Sequence, residues 1–163
     1  MSITSDDVVN VLDLLAATPR HLDSLSHIYD IAEFHFKPDE EIWSANEILA
    51  HLRACADVWG KSILAMISQD HPTLRYISPR TWMKKTNYTT QNFHDSLKAF
   101  SWQRHELLTA LGGLKPADWS RGATFTATTR GREQNILSYA QRIANHESDH
   151  SNEMDVRLSS LRS

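Results

Sequence analysis

The chain predicts an all-α protein, an antiparallel four-helix bundle. Three observations point there. Apolar residues recur at helical spacing in four long stretches. Those stretches begin and end on recognisable capping residues. Two of the connections, 70–88 and 114–132, are long enough to cross an end of a bundle. At 163 residues, 40% apolar and 23% charged, the chain reads as one domain, 1–163, with room for a substantial core.

The first helix opens at Ser5. Asp6 and Asp7 fall in its first turn, where they meet the positive end of the helix dipole. Its stripe is Val8, Val11, Leu12 and Leu15. Thr18-Pro19 predicts an interruption, with Thr18 capping a new start and Pro19 at the first helical position. Leu22, Leu25, Ile28 and Tyr29 continue the pattern. A connection follows over 30–42. Ser44-Ala45-Asn46-Glu47 then matches a capping box, in which Ser44 caps and Glu47 reaches back to the Ser44 amide. The second long helix runs to about Gln69, with Ile48, His51, Leu52, Cys55, Trp59, Ile63 and Met66 on its inner face.

The link 70–88 contains Pro72 and Pro79 and is expected to hold one helical turn near 80–85. The third helix spans about 90–111 and stops at Gly112-Gly113. Its stripe, Phe93, Leu97, Phe100, Arg104, Leu107 and Leu111, puts an arginine at a core position. In the link 114–132, the alternation Thr124-Phe125-Thr126-Ala127-Thr128 predicts a short extended piece. The last helix runs over about 132–161.

Composition excludes several classes. A net charge of −3 and a pI near 6.3, with no basic cluster, argue against a nucleic-acid surface. No apolar run reaches the roughly 20 residues that span a bilayer. Residues 1–7 carry no basic group and do not read as a signal peptide. One cysteine, Cys55, rules out an internal disulfide and fits a reducing cytoplasm.

The chemistry is concentrated in His146-Glu147-Ser148-Asp149-His150. Four residues apart on a helix, the two imidazoles lie on one face about a turn apart. The stripe Ile136, Tyr139, Ile143, His146, His150, Met154 turns that face inward. A pair of inward imidazoles is half of a divalent-metal site. The pattern His-Glu-x-x-His also occurs in zinc peptidases, with the glutamate as general base. The extended version of that pattern needs Gly at 153 and His at 156, where this chain has Glu153 and Val156. Only thirteen residues follow His150, leaving no further helix for another ligand. A third ligand therefore comes from upstream. Spacing offers His51, in mid-helix on a core stripe, with His105 and His35 as competitors. Spacing alone leaves His51 equally readable as a core-edge histidine bonded to a backbone carbonyl. His21, His27, His71 and His94 have no suggestive neighbours and are expected at the surface.

Three segments together resemble the DinB/YfiT-like superfamily. Trp43-Ser44-Ala45-Asn46-Glu47-Ile48-Leu49-Ala50-His51-Leu52 is similar to its first motif, and His146-x-x-x-His150 to its second metal motif. The stretch from Phe100 to Trp119, with Arg104 and Pro116-Ala117-Asp118-Trp119, is similar to its third helix and following loop. The resemblance implies an up-down-down-up four-helix bundle. It implies a divalent metal (nickel or zinc first, manganese or iron as alternatives) held by His51, His146 and His150. It further implies a metal-dependent enzyme on a small molecule, of thiol-dependent transferase type with a low-molecular-weight thiol. A metal-dependent hydrolase and a non-catalytic, metal-stabilised binding module are the alternatives. A homodimer is expected, without nucleic-acid or membrane partners. The protein supplies no nucleophile on this reading, and Cys55 reads as a core residue. Glu147 is the candidate proton shuttle, or an acceptor behind a ligand ring, with a surface ion pair as the competing role, and Asp149 has the same readings. Arg104 is the candidate anchor for a substrate carboxylate or phosphate, against a buried ion pair with a helix acid. Glu47 reads as a cap. Trp43, Trp59 and Trp82 are candidate pocket walls.

Overall fold

Each long helix begins where a side chain caps it. A computed structural model describes residues 2–163; Met1, at the head of the 1–7 stretch, lies outside them. In chain order the elements are α1 (Ser5–Ser26), α2 (Ile31–His35), α3 (Ala45–Ser68), β1 (Thr73–Arg75), α4 (Pro79–Met83), α5 (Phe93–Gly112), β2 (Gly122–Thr126), β3 (Glu133–Asn135) and α6 (Ile136–Ser160). Short 3-10 turns precede and follow α5. At α3 the expected capping box forms: Glu47 N–H donates to Ser44 Oγ at 3.1 Å, and Ser44 N–H donates to Glu47 Oε2 at 2.8 Å. Glu47 is thus a cap. Thr4 and Asp7 make the same device at α1, and Asn92 and Asn135 cap α5 and α6.

The packing is that of the expected four-helix bundle. α1 packs on α5 and α6, and α3 packs on the same two, so α1 and α3 face each other across the diagonal. Helix directions follow from which ends share a core. Val11 and Leu15 of α1 join Ile63 and Met66 of α3, Leu107 and Leu111 of α5, and Ile136 and Ala140 of α6. Leu22 and Leu25 join Ile48 and Leu52, Phe93 and Leu97, and Met154 and Leu158. The first cluster holds the start of α1 and α6 and the end of α3 and α5. The second holds the opposite ends. The order is therefore up, down, down, up. Sequential helices α1 and α3, and α5 and α6, point oppositely across a diagonal, which is why both connections between them are long.

α1 departs from expectation. It runs unbroken through Pro19 rather than stopping at Thr18. A proline inside a helix leaves the carbonyl four residues earlier without its donor, here that of Leu15. Leu15 is fully buried, so an orphan carbonyl there would be costly. Arg104 Nη1 donates to Leu15 O at 2.8 Å and fills the vacancy from α5. A side chain far away in sequence thus makes the proline tolerable.

The link from α3 to α5 and the link from α5 to α6 fold onto one another. β1 pairs parallel with β2, and β2 pairs antiparallel with β3. The extended piece expected near Phe125 is β2; its partners β1 and β3 were not foreseen. Because 133–135 pair with β2 and Asn135 caps, α6 starts at Ile136 instead of near 132. Gly122 permits the close approach: a Cβ there would meet Gln134 O at 2.5 Å. Phe125 stacks on Tyr139, ring centroids 4.8 Å apart, which anchors the small sheet on α6. The link from α3 to α5 is pinned to α3 by Asp57, which accepts from Trp82 Nε1 at 2.9 Å and Tyr88 Oη at 2.6 Å. Among the described residues no helix is long and apolar enough to cross a membrane.

Candidate metal centre

Between the two apolar clusters lies a polar waist. α3 contributes His51 and, one turn later on the same face, Cys55. α6 contributes His146, Glu147 and His150. α5 contributes Arg104.

His51 is 4% exposed, and its Nε2 lies 2.9 Å from Nε2 of His146. Two nitrogens bound to one cation at about 2.0–2.1 Å stand roughly 2.9–3.4 Å apart, so the spacing fits a shared ion. Cys55 Sγ is 3.6 Å from His51 Nε2. One donor atom each from His51, Cys55 and His146 lies within 4.8 Å of the others. The ring of His150 packs against both imidazoles, its centroid 5.0 Å from His51 and 4.5 Å from His146.

Burial disfavours the imidazolium form. His51 is pushed down to about 3, first by burial and then by the neighbouring charges of His150, His146 and Arg80. His146 is pushed down to about 4, again chiefly by burial. Both rings therefore stay neutral near pH 7, the state in which imidazole binds metal. Without a cation, one ring must donate to the other, which requires the two rings to be in opposite tautomers. A cation accepts both lone pairs. The residues present therefore fit a divalent ion.

The three histidines are not held alike. His150 Nδ1 is 3.0 Å from Glu153 Oε2, and Glu153 Oε1 accepts from Arg157 Nη2 at 3.0 Å. A carboxylate on one ring nitrogen selects the tautomer that leaves the other nitrogen bare. His51 Nδ1, by contrast, is buried with no protein partner. Packing holds that ring: Trp43 lies 5.1 Å away, and Trp59 lies 5.1 Å from His146. A cavity of about 300 Å³ opens beside His150, walled by Trp43, Arg80, Glu153 and Arg157 among others. Arg80 lies over the Trp43 ring at 4.6 Å.

Several expected roles are corrected. Arg104 does not face this cavity as an anchor for substrate. Its Nη1 donates to Glu147 Oε2 at 2.8 Å, its Nη2 donates to Glu147 Oε1, and both side chains are 1% exposed. Glu147 is taken up by the same pairing; the buried ion pair that competed for Arg104 is what forms, and for Glu147 it lies in the core rather than at the surface, where the competing ion pair was expected. Asp149 points outward, as do His105 and His35. Trp82 is tied to Asp57 and does not wall the cavity. His27, His71 and His94 are exposed and His21 is half-buried. Sequence reasoning overlooked Glu153 and set Cys55 aside. Their signals were present: Glu153 follows His150 by three residues, and Cys55 follows His51 by four, both same-face spacings.

The fold has known counterparts. YfiT from Bacillus subtilis, described as "a probable metal-dependent hydrolase with an unusual four-helix bundle topology", superposes with a TM-score of 0.77 at 15% identity, over 97% of this chain and 91% of that one. A mycothiol-dependent maleylpyruvate isomerase superposes with a TM-score of 0.71 at 16% identity, over 90% of this chain but 60% of that one. At these identities the likeness is one of fold. No curated protein sequence matches the chain. The sequence model of the DinB superfamily matches residues 14–154, which include every residue of the polar waist, and the chain belongs to that superfamily.

Proposed function

We propose that this protein binds a divalent metal through His51, His146 and His150 and uses it as an enzyme on a small molecule. The observation that carries the reading is the pair of facing Nε2 atoms, 2.9 Å apart, from buried His51 and half-buried His146. A bound divalent ion would supply Lewis-acid chemistry, making an oxygen or sulfur donor in its shell more acidic. The remaining work falls to the chain. Burial keeps His51 and His146 neutral, so their lone pairs are available. Glu153 holds the His150 ring in one tautomer. Trp43 packs against His51 and Trp59 against His146. The cavity beside His150 has room for a small molecule.

Within that reading we favour a thiol-dependent transferase with nickel or zinc, manganese or iron being alternatives. The matched isomerase is mycothiol-dependent, and three imidazoles leave positions open for a thiol. Hydrolysis is the second reading, since YfiT is described as a hydrolase. Purified protein, loaded with each metal in turn and desalted, is expected to retain one ion per chain by elemental analysis. His51→Ala is expected to retain none. Loaded protein is then assayed with low-molecular-weight thiols plus electrophiles, and separately with ester and amide substrates. No retained ion in the parent chain would remove the centre. A retained ion without turnover of either kind would leave a metal-stabilised binding module. We further propose a cytoplasmic homodimer; exposed Trp102 and Val156 offer apolar surface for it, and light scattering at micromolar concentration tests it.

A further inference from the structure

We infer that Cys55 is a sulfur donor to this centre, so that the cation is held by a mixed nitrogen–sulfur set rather than by imidazoles alone. The inference rests on the metal-centre reading above.

The geometry carries it. With metal–nitrogen and metal–sulfur bonds of about 2.0–2.1 and 2.3 Å, donors at a tetrahedral angle lie about 3.5–3.6 Å apart. The distance from Cys55 Sγ to His51 Nε2 is 3.6 Å. The two side chains come from successive turns of one rigid helix, so their spacing is set by backbone geometry rather than by a mobile loop. His146, from a second helix, completes a cluster whose donor atoms are all within 4.8 Å of one another. A cysteine that merely fills the core would need only apolar neighbours. Cys55 has those on the side of the first apolar cluster, yet its sulfur also meets an imidazole nitrogen.

Coordination replaces the S–H bond with an S–metal bond, and the proton leaves to the buffer, one per chain. Two consequences follow. Sulfur makes the site softer, favouring zinc, nickel, cobalt and iron over manganese or magnesium. With His150 also bound, the protein supplies four donors. Zinc, which settles at four, would then be closed, whereas a metal taking five or six ligands keeps a position for substrate.

Cobalt(II) titration of the full chain, with no added thiol, tests this directly. Visible d–d bands report bound cobalt, and a near-ultraviolet charge-transfer band reports a thiolate on it. The parent chain is expected to develop both. Cys55→Ala is expected to keep the visible bands and lose the near-ultraviolet one. Visible bands without the near-ultraviolet band in the parent chain would overturn the inference and leave the metal centre standing. No visible bands at all would remove both. Because Cys55 is the only cysteine of the 163 residues, the parent spectrum decides even if the variant folds poorly.

Discussion

The waist of the bundle contains two polar pairs, one fully buried and one partly buried, that differ in kind. Arg104 and Glu147 carry opposite charges, meet at both carboxylate oxygens, and add the Leu15 carbonyl to their set. His51 and His146 are two like groups whose acceptor nitrogens face each other, with burial holding both neutral. The first pair answers its own burial and ties α1, α5 and α6 together. The second has an arrangement that a cation would complete. Adjacent residues, His146 and Glu147, thus enter different chemistries because they point to different neighbours across the bundle.

Removing half of the charged pair should have the largest effect. Arg104→Ala leaves a buried carboxylate and an orphan carbonyl, and is expected to cost about 3–5 kcal/mol in urea denaturation. Replacing both partners, as in R104M/E147L, should recover most of that but leave Leu15 O unpaired. Adding Pro19→Ala supplies the missing helical donor and should recover more. If Pro19→Ala helps the parent chain equally, the link between Arg104 and the proline is wrong.

The histidine pair should behave oppositely. His51→Ala is expected to leave the metal-free melting temperature within a few degrees of the parent. It should abolish the metal-induced rise, which for the parent amounts to about 2.7 kcal/mol at a hundred-fold excess over Kd. The same pair governs the acid limb. Both groups titrate lower in the folded chain than the ordinary 6.5, so the unfolded state binds more protons between those values. Their contribution is fully present above about 6.5 and is lost as pH falls toward 4 and 3. Thermal melts of metal-free H51A/H146A should show a flatter decline over that range.

The subtlest change is at Glu153. Glu153→Ala should weaken metal binding about 10- to 100-fold by chelator competition, because the His150 ring loses its orienting acceptor. Glu153→Gln keeps an acceptor oxygen and should rescue much of the loss. Equal affinities in all three proteins would show that Glu153 serves only as a surface ion-pair partner.

Much of this was legible along the chain. Stripe periodicity located the four long helices, and Ser44 and Glu47 marked the start of α3. The motif around His51 and the pair His146 and His150 nominated three imidazoles whose rings pack together at the waist, while the donor atoms that converge within 4.8 Å are those of His51, His146 and Cys55. What could not be read were facts about neighbours. The continuity of α1 through Pro19 depends on Arg104, eighty-five positions away. The pairing of 133–135 with β2 depends on the path of two links. Arg104 could be recognised as a buried arginine, but its choice of Glu147 over a ligand rests on how α5 meets α6.

The sequence by itself determined where helices form, where they are capped and which faces turn inward, since these depend on residues within a turn or two of one another. Only the tertiary structure decided which inward polar groups meet. Hydrogen bonds and metal bonds act over about 3 Å, and no periodicity says which helix face will lie that close to which. That is why Glu147 is a strut and His146, its neighbour in the chain, belongs to the candidate metal centre.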